Sequence, residues 1–336
     1  MRFLASCQGQ INFLKVLKIR IAFWPIHHHN PSVNKETENK IRKLINGEVL
    51  PVTTELKNDL SALGLKFKVR DEFVRLEDNI ELLDYNSILN QTAPGFYLDL
   101  QWSIQSTNDY LMNVGASAES VVVCLAEQQL AGKGRRGKVW ISPFGKNIYM
   151  SISRQFATGA SGLMGLSLVI GLSVVKTLKE IGIGQVGLKW PNDIILDAGK
   201  LAGILVELGK TTSQSTFAVM GIGINMELDE EDSRQIDQPW SAIANKEIVS
   251  RNELVARLID SILPTLVIFE REGFASFCED WNSNNVYRGQ EVMVLGGKNG
   301  ISGIDAGVDE NGNYLLETDT GIQIFNAGEV SLRLRG

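Results

Sequence analysis

Residues 132–140 read Gly132-Lys133-Gly134-Arg135-Arg136-Gly137-Lys138-Val139-Trp140, and Ser142-Pro143-Phe144-Gly145 follow. Three glycines alternate with four cations, and an aromatic closes the run. Glycine lets the backbone reach positive φ and approach a ligand closely. Lysine and arginine supply charge for phosphate oxygens, and the planar arginine fork suits them best. Turned inward, such a loop wraps a phosphorylated or adenylated small molecule. Turned outward, it is a solvated basic turn. What shifts the balance is a series of further glycine- and lysine-bearing segments downstream.

Gly187-Leu188-Lys189-Trp190 reads as a short strand that Pro191 ends, with Asn192 and Asp193 in the turn. Lys189 then lies near a strand terminus beside an indole, where it neutralises a carboxylate or phosphate as a point charge; the alternative is a surface lysine before a hairpin turn. Gly199-Lys200-Leu201-Ala202-Gly203-Ile204-Leu205-Val206-Glu207 is an apolar strand beginning at a Gly-Lys turn. An isolated glycine such as Gly203 inside a strand often marks close approach by a ligand or another segment. Gly221-Ile222-Gly223-Ile224-Asn225 resembles half of a dinucleotide fingerprint, but it lacks the third glycine and no helix pattern follows.

Taken in order, Ser106-Thr107-Asn108, Gln128-Gln129, the cationic loop, SPFGKNIYMS, KWPND, GKLAGILVE and GIGIN resemble the bacterial biotin protein ligases, whose two-function members also repress the biotin operon. The resemblance runs from about Ile80 to the C-terminus. It implies an α/β (α+β) fold: a class II synthetase-like mixed sheet with helices, a C-terminal SH3-like β-barrel and a truncated N-terminal winged-helix remnant. It implies ATP with Mg²⁺, biotin as substrate, and a biotin carboxyl carrier protein as partner. Lys189 and Arg135 are then catalytic, Lys189 bridging the biotin carboxylate and the α-phosphate. Ser106, Thr107, Asn108, Gln128, Lys133, Gly134, Gly203 and Ile204 join them at biotin. Arg136, Trp140, Asn192, Lys200 and Asn225 fall to ATP or the adenylate, and no metal ligand is assigned. Two positions depart from the family pattern. Gln105 stands where most relatives carry an acid before Ser-Thr-Asn, and Lys133 stands where arginine is frequent.

The chain of 336 residues has room for two or three domains, and its apolar share of 44% and charged share of 21% are ordinary for a globular protein. A net charge of −6 advertises neither nucleic acid nor an anionic membrane. Cys7, Cys124 and Cys278 are odd in number and far apart, which suits reduced thiols and a cytoplasmic location. His27, His28 and His29 are either a metal-binding tract or an unstructured stretch. Residues 1–34 carry cations and no acid, as an extension or a targeting-type segment does, and they lack the apolar run of a membrane span.

Residues 35–84 read as two helices, Glu36 to Asn46 and Thr53 to Leu63, and two short strands, Lys66–Val69 and Phe73–Leu76. Only Glu48-Val49-Leu50-Pro51-Val52 lies between Gly47 and Thr53, too little for the missing helix of a helix-turn-helix. Lys35 to Asn90 holds nine Lys/Arg and eleven Asp/Glu, a balance of −2, where phosphate binding wants a basic face. DNA binding is therefore doubtful, and the module reads as eroded. Residues 85–282 form the biotin/ATP domain. In it Leu98–Trp102 and Val121–Leu125 read as strands, and Gly165–Leu178 and Val255–Phe269 as core helices. Residues 285–335 read as short strands and turns closing a small antiparallel barrel. A homodimer through sheet edges is compatible with the family. A lipoate-type ligase or transferase and a two-function ligase and repressor are the alternative readings.

Overall fold

The computed structural model describes residues 35–115, 120–243, 248–295, 300–327 and 331–334. The histidine tract and the rest of the N-terminal extension lie outside them.

Helix α1 (Lys35–Ile45), strand β1 (Leu50–Pro51), helix α2 (Thr54–Ala62) and strands β2 (Phe67–Arg70) and β3 (Phe73–Leu76) make the N-terminal module. The expected helices and hairpin are present. Thr53 caps α2, its Oγ1 accepting from Leu56 N at 3.1 Å. Asp71 and Glu72, at φ 49° and 67°, give the two left-handed residues of a tight hairpin turn. The strands lie in the order β1-β3-β2. Between Ile45 and Thr54 the chain holds β1 and no helix.

The body follows as α3 (Tyr85–Asn90), β4 (Tyr97–Gln101), α4 (Thr107–Val114), β5 (Val122–Ala126), β6 (Ile148–Phe156), α5 (Leu166–Glu180), β7 (Val186–Lys189), β8 (Asp193–Leu196), β9 (Gly199–Thr211), β10 (Thr216–Ile224), α6 (Glu230–Ser233), α7 (Arg251–Glu272) and α8 (Cys278–Ser283). One mixed sheet runs β4-β5-β6-β10-β9-β8-β7, with β4 and β5 parallel and the other neighbours antiparallel. Strand alternation sorts its residues onto two faces. Val123, Leu125, Ile152, Ala218 and Met220 join the large core with α5 and α7. Val122, Cys124, Phe217 and Val219 face Leu111 of α4. Gly221–Ile224 end β10, and the next helix, the four-residue α6, begins at Glu230.

Helix α7 is longer than its apolar stretch, because Ser250 caps it by accepting from Glu253 N at 3.1 Å. Residues Ala160–Glu180 are apolar and long enough to cross a membrane by length and composition alone, and two-thirds of their most apolar 18 residues are buried within the fold. Strands β11 (Glu291–Leu295), β12 (Ile301–Val308), β13 (Tyr314–Thr318), β14 (Gly321–Phe325) and β15 (Ser331–Leu334) form an antiparallel sheet in the order β14-β13-β12-β11-β15. This C-terminal sheet shares the large core, and Trp190 Nε1 donates to Gly312 O at 3.2 Å across the junction.

Candidate active site

The site begins as a depression in the sheet. Cross-strand partners share a face, and two registered rows cross here: Gly203–Gly223–Tyr149 and Leu205–Gly221–Ser151. Three glycines thus remove side chains from one patch of floor. A Cβ at Gly223 would stand 2.4 Å from Trp140 Cε2, and one at Gly221 2.4 Å from Asn108 Oδ1. The functional side chains settle onto the floor where a larger residue would exclude them.

One wall is the N-terminus of α4. Ser106 caps it, accepting from Asp109 N at 3.4 Å. Thr107 N and Oγ1 donate to Gln129 Oε1 at 2.9 and 3.1 Å, and Gln129 Nε2 donates to Ser142 Oγ at 3.1 Å. Ser151 Oγ lies 2.7 Å from Thr107 Oγ1 and 2.6 Å from Asn108 Oδ1, while Asn108 Nδ2 donates to Glu207 at 2.8 Å. Such a net fixes donors and acceptors for a small polar ligand in an otherwise enclosed cleft.

The opposite wall is the cationic loop. It is a hairpin, closed by Trp140 N donating to Gly132 O at 2.9 Å and Gly134 N to Lys138 O at 2.7 Å. Gly132 is required there, since its Cβ would stand 2.3 Å from Trp140 O. Arg136 adopts φ 59° at the exposed tip. Lys133 pairs with Asp109 at 2.5 Å, and that hydrogen bond holds its ammonium above the usual lysine range. Arg135 turns inward: Nη1 donates to Asn192 Oδ1 at 3.0 Å and Nη2 to Ala327 O of the C-terminal module. Burial lowers its pKa from the ordinary value. At the back, Lys200 Nζ stands 5.4 Å over the Trp140 ring and 2.6 Å from Asp193 Oδ1. The cleft is narrow, with about 50 Å³ of free volume between these walls.

Two family models match this chain: the Biotin/lipoate A/B protein ligase family over residues 101–225, and the Biotin protein ligase C terminal domain over residues 288–333. The Escherichia coli bifunctional ligase/repressor BirA is 38% identical over 268 residues, 80% of this chain and 83% of that protein. The chain belongs to the biotin protein ligase family. The biotin–[acetyl-CoA-carboxylase] ligase of Mycobacterium tuberculosis is 30% identical over 69% of this chain and 88% of its own length. Among solved structures, the Aquifex aeolicus biotin protein ligase in complex with biotin and ATP superposes with a TM-score of 0.60 and 31% identity, covering 71% of this chain and 99% of that one.

In this family member, eleven of the residues expected from the sequence line one cleft: Ser106, Thr107, Asn108, Lys133, Gly134, Arg135, Trp140, Asn192, Lys200, Gly203 and Ile204. Four lie outside its lining. Lys189 borders a smaller recess behind Asn192, 3.7 Å from Asp193 and 5.8 Å from the Tyr287 ring; burial, foremost, pulls its pKa below the lysine range. Gln128 accepts from Ser103 Oγ at 3.2 Å, and Gln129 is the glutamine that faces the cleft. Asn225 is buried and spends its Nδ2 on Lys200 O and Ser241 O at 3.3 and 3.2 Å. Arg136 is exposed at the loop tip. The floor glycines Gly221 and Gly223 were absent from the expected site, although their i, i+2 spacing on one strand face signalled it.

Proposed function

We propose that this chain activates biotin with ATP to biotinyl-5′-AMP and transfers the biotinyl group to a lysine of a biotin carboxyl carrier protein. The observation that carries this reading is Lys200: a cation at the back of a glycine-floored cleft, faced by Arg135 and Trp140. A carboxylate needs activation, because oxide is a poor leaving group. A biotin carboxylate oxygen attacks the α-phosphorus of ATP, supplied as its magnesium complex, and pyrophosphate leaves. The acceptor amine then attacks the acyl carbon, loses a proton, and AMP departs. Repulsion among the carboxylate and the phosphates must be offset by preorganised cations.

Lys200 takes the position between carboxylate and α-phosphate, in place of Lys189. Arg135 clamps the phosphate, and Trp140 covers the adenine. Thr107, Asn108 and Gln129 orient biotin. The Aquifex aeolicus relative's complex with biotin and ATP supports both substrates. Incubation with ATP, biotin and a carrier domain, read by streptavidin blot, is expected to label the carrier. Labelling with lipoate and not with biotin would replace this reading by a lipoate-type ligase.

Arg135→Gly is expected to form the adenylate but lose it. Its guanidinium joins the loop to Asn192 and to Ala327, so the variant loop closes less firmly over the phosphate. Biotinylation of bystander proteins should rise; an unchanged adenylate release rate would remove Arg135 from the clamp.

We further infer that α1, α2 and the β1-β3-β2 sheet are a winged-helix remnant, that the C-terminal sheet is an SH3-like barrel, and that the chain binds no operator. No helix separates α1 from α2, and the acidic balance of residues 35–90 offers phosphate no basic face. In a mobility-shift titration with the biotin-operon promoter, biotin and ATP present, no specific complex is expected at nanomolar protein. A family-type homodimer through a sheet edge would use β4, since Asn284–Val286 cover β7: Leu188 N donates to Asn284 O at 2.7 Å and Val286 N to Leu188 O at 3.0 Å.

A further inference from the structure

The segment from Met226 to Ile243 follows β10 and precedes helix α7 in the chain. At one end Met226 N and Glu227 N donate to Asn147 Oδ1 at 2.8 and 2.9 Å. At the other end it grips the backbone of Lys200. Lys200 N donates to Pro239 O and Ser241 N to Lys200 O, both at 3.0 Å, and Ser241 Oγ donates to Leu196 O at 2.5 Å. A Cβ at Gly199 would stand 2.4 Å from Trp240 O, so the fit there is close. The main chain of the cleft lysine is therefore held by this strap.

Between those ends sits Asp229. Its Oδ1 accepts from Glu231 N and Asp232 N at 3.0 and 2.9 Å. Its Oδ2 accepts from Lys66 at 2.8 Å and Lys146 at 3.0 Å, and Lys146 reaches Asp232 at 2.5 Å. Lys146 directly follows Gly145, whose Cβ would stand 2.6 Å from Ile80 Cγ2. Lys66 opens the wing hairpin of the N-terminal module, far from the cleft in sequence. Two side chains from outside the cleft lining, Lys66 and Lys146, thus converge on one carboxylate of the strap.

We propose that Asp229 and Lys66 form a latch through which the N-terminal module positions the Met226–Ile243 strap, and with it Lys200. They are positioning residues for the ligase reaction. Bonding to Lys66, foremost, holds the Asp229 carboxyl well below the usual carboxylate range, so the latch stays charged at neutral pH. The inference rests on the ligase reading, because the ligand that the strapped site retains is the adenylate.

The test is the release rate of radiolabelled biotinyl-AMP from the full chain, with the biotin KM and the kcat of pyrophosphate exchange beside it. A partly exposed ion pair contributes up to about 1 kcal/mol, or about fivefold. Lys66→Met and Asp229→Asn should each speed release and raise KM about two- to fivefold, with kcat within about twofold of wild type. Lys66→Met in the Asp229→Asn background should add nothing, and Lys66→Arg should restore retention. Thermal midpoints of all variants establish that each is folded. Wild-type release in both single variants, or an equal Lys66→Met effect in both backgrounds, would overturn the latch. A wild-type chain that forms no adenylate would overturn the ligase reading and this inference with it.

Discussion

Lys200→Ala is expected to slow biotin-dependent pyrophosphate exchange by about 10²–10³-fold with the fold intact, the usual cost of losing a preorganised charge contact to a developing anion. Preorganisation is visible here. The ammonium is fixed by Asp193 at 2.6 Å, and its backbone is held on both sides by Pro239 and Ser241. Asp193 retains Lys189 at 3.7 Å after the substitution, so no lone buried carboxylate is left to destabilise the protein. Far-UV circular dichroism and the thermal midpoint should match wild type. Lys189→Ala should cost less, within about tenfold, since Lys189 acts on the cleft through Asp193. Near wild-type exchange in Lys200→Ala, with collapse in Lys189→Ala, would return the bridging role to Lys189.

The choice between those lysines shows where sequence reading stops. Both sit at strand termini beside a turn, and both follow a glycine by one or two positions. Lys189 pairs with Asp193, and Asp193 with Gly203, so Lys189 shares the floor's face but stands two strands away from Gly203; an irregularity in the β8–β9 pairing between Ile194 and Ile195 places Lys200 opposite Ile195, on that face and beside the floor. A register shift of one residue reverses the face that a side chain takes, and nothing local in the sequence marks it. Gln128 and Gln129 pose the same problem. Strand β5 ends at Ala126, so alternation no longer fixes which of two adjacent glutamines turns inward.

Elsewhere the chemistry was legible. The glycines at 132, 134 and 203 stand where the backbone or floor needs them, and α5 and α7 follow from apolar periodicity. The N-terminal module was legible as elements but not as packing. Its core is completed by Trp102 and Phe144 from the body, with ring centroids 4.7 Å apart and Arg42 stacked 5.0 Å above the indole. Contacts between residues this far apart in sequence leave no periodic trace.

Arg251→Met is expected to destabilise the chain by about 3–5 kcal/mol, the usual consequence of breaking a buried ion pair from one side. Arg251 and Glu127 are 3% and 5% exposed. The guanidinium donates to Glu127 Oε2 at 2.8 Å, to Glu81 O at 2.5 Å and twice to Asn147 O, at 3.2 and 2.9 Å. Glu127 Oε1 accepts in turn from Leu83 N at 2.6 Å, and Glu81 accepts from Arg251 N at 2.8 Å. One side chain therefore ties the 77–84 linker, the end of β5 and the start of α7. Methionine fills similar space but leaves the Glu127 charge enclosed with a single backbone donor. The loss should appear as a lower urea midpoint at unchanged m-value. Pairing it with Glu127→Leu removes the stranded charge, so the double variant should be more stable than Arg251→Met alone. A loss below about 1 kcal/mol in the single variant, typical of an exposed pair, would show that water reaches this network and that the linker is not locked to the catalytic body by it.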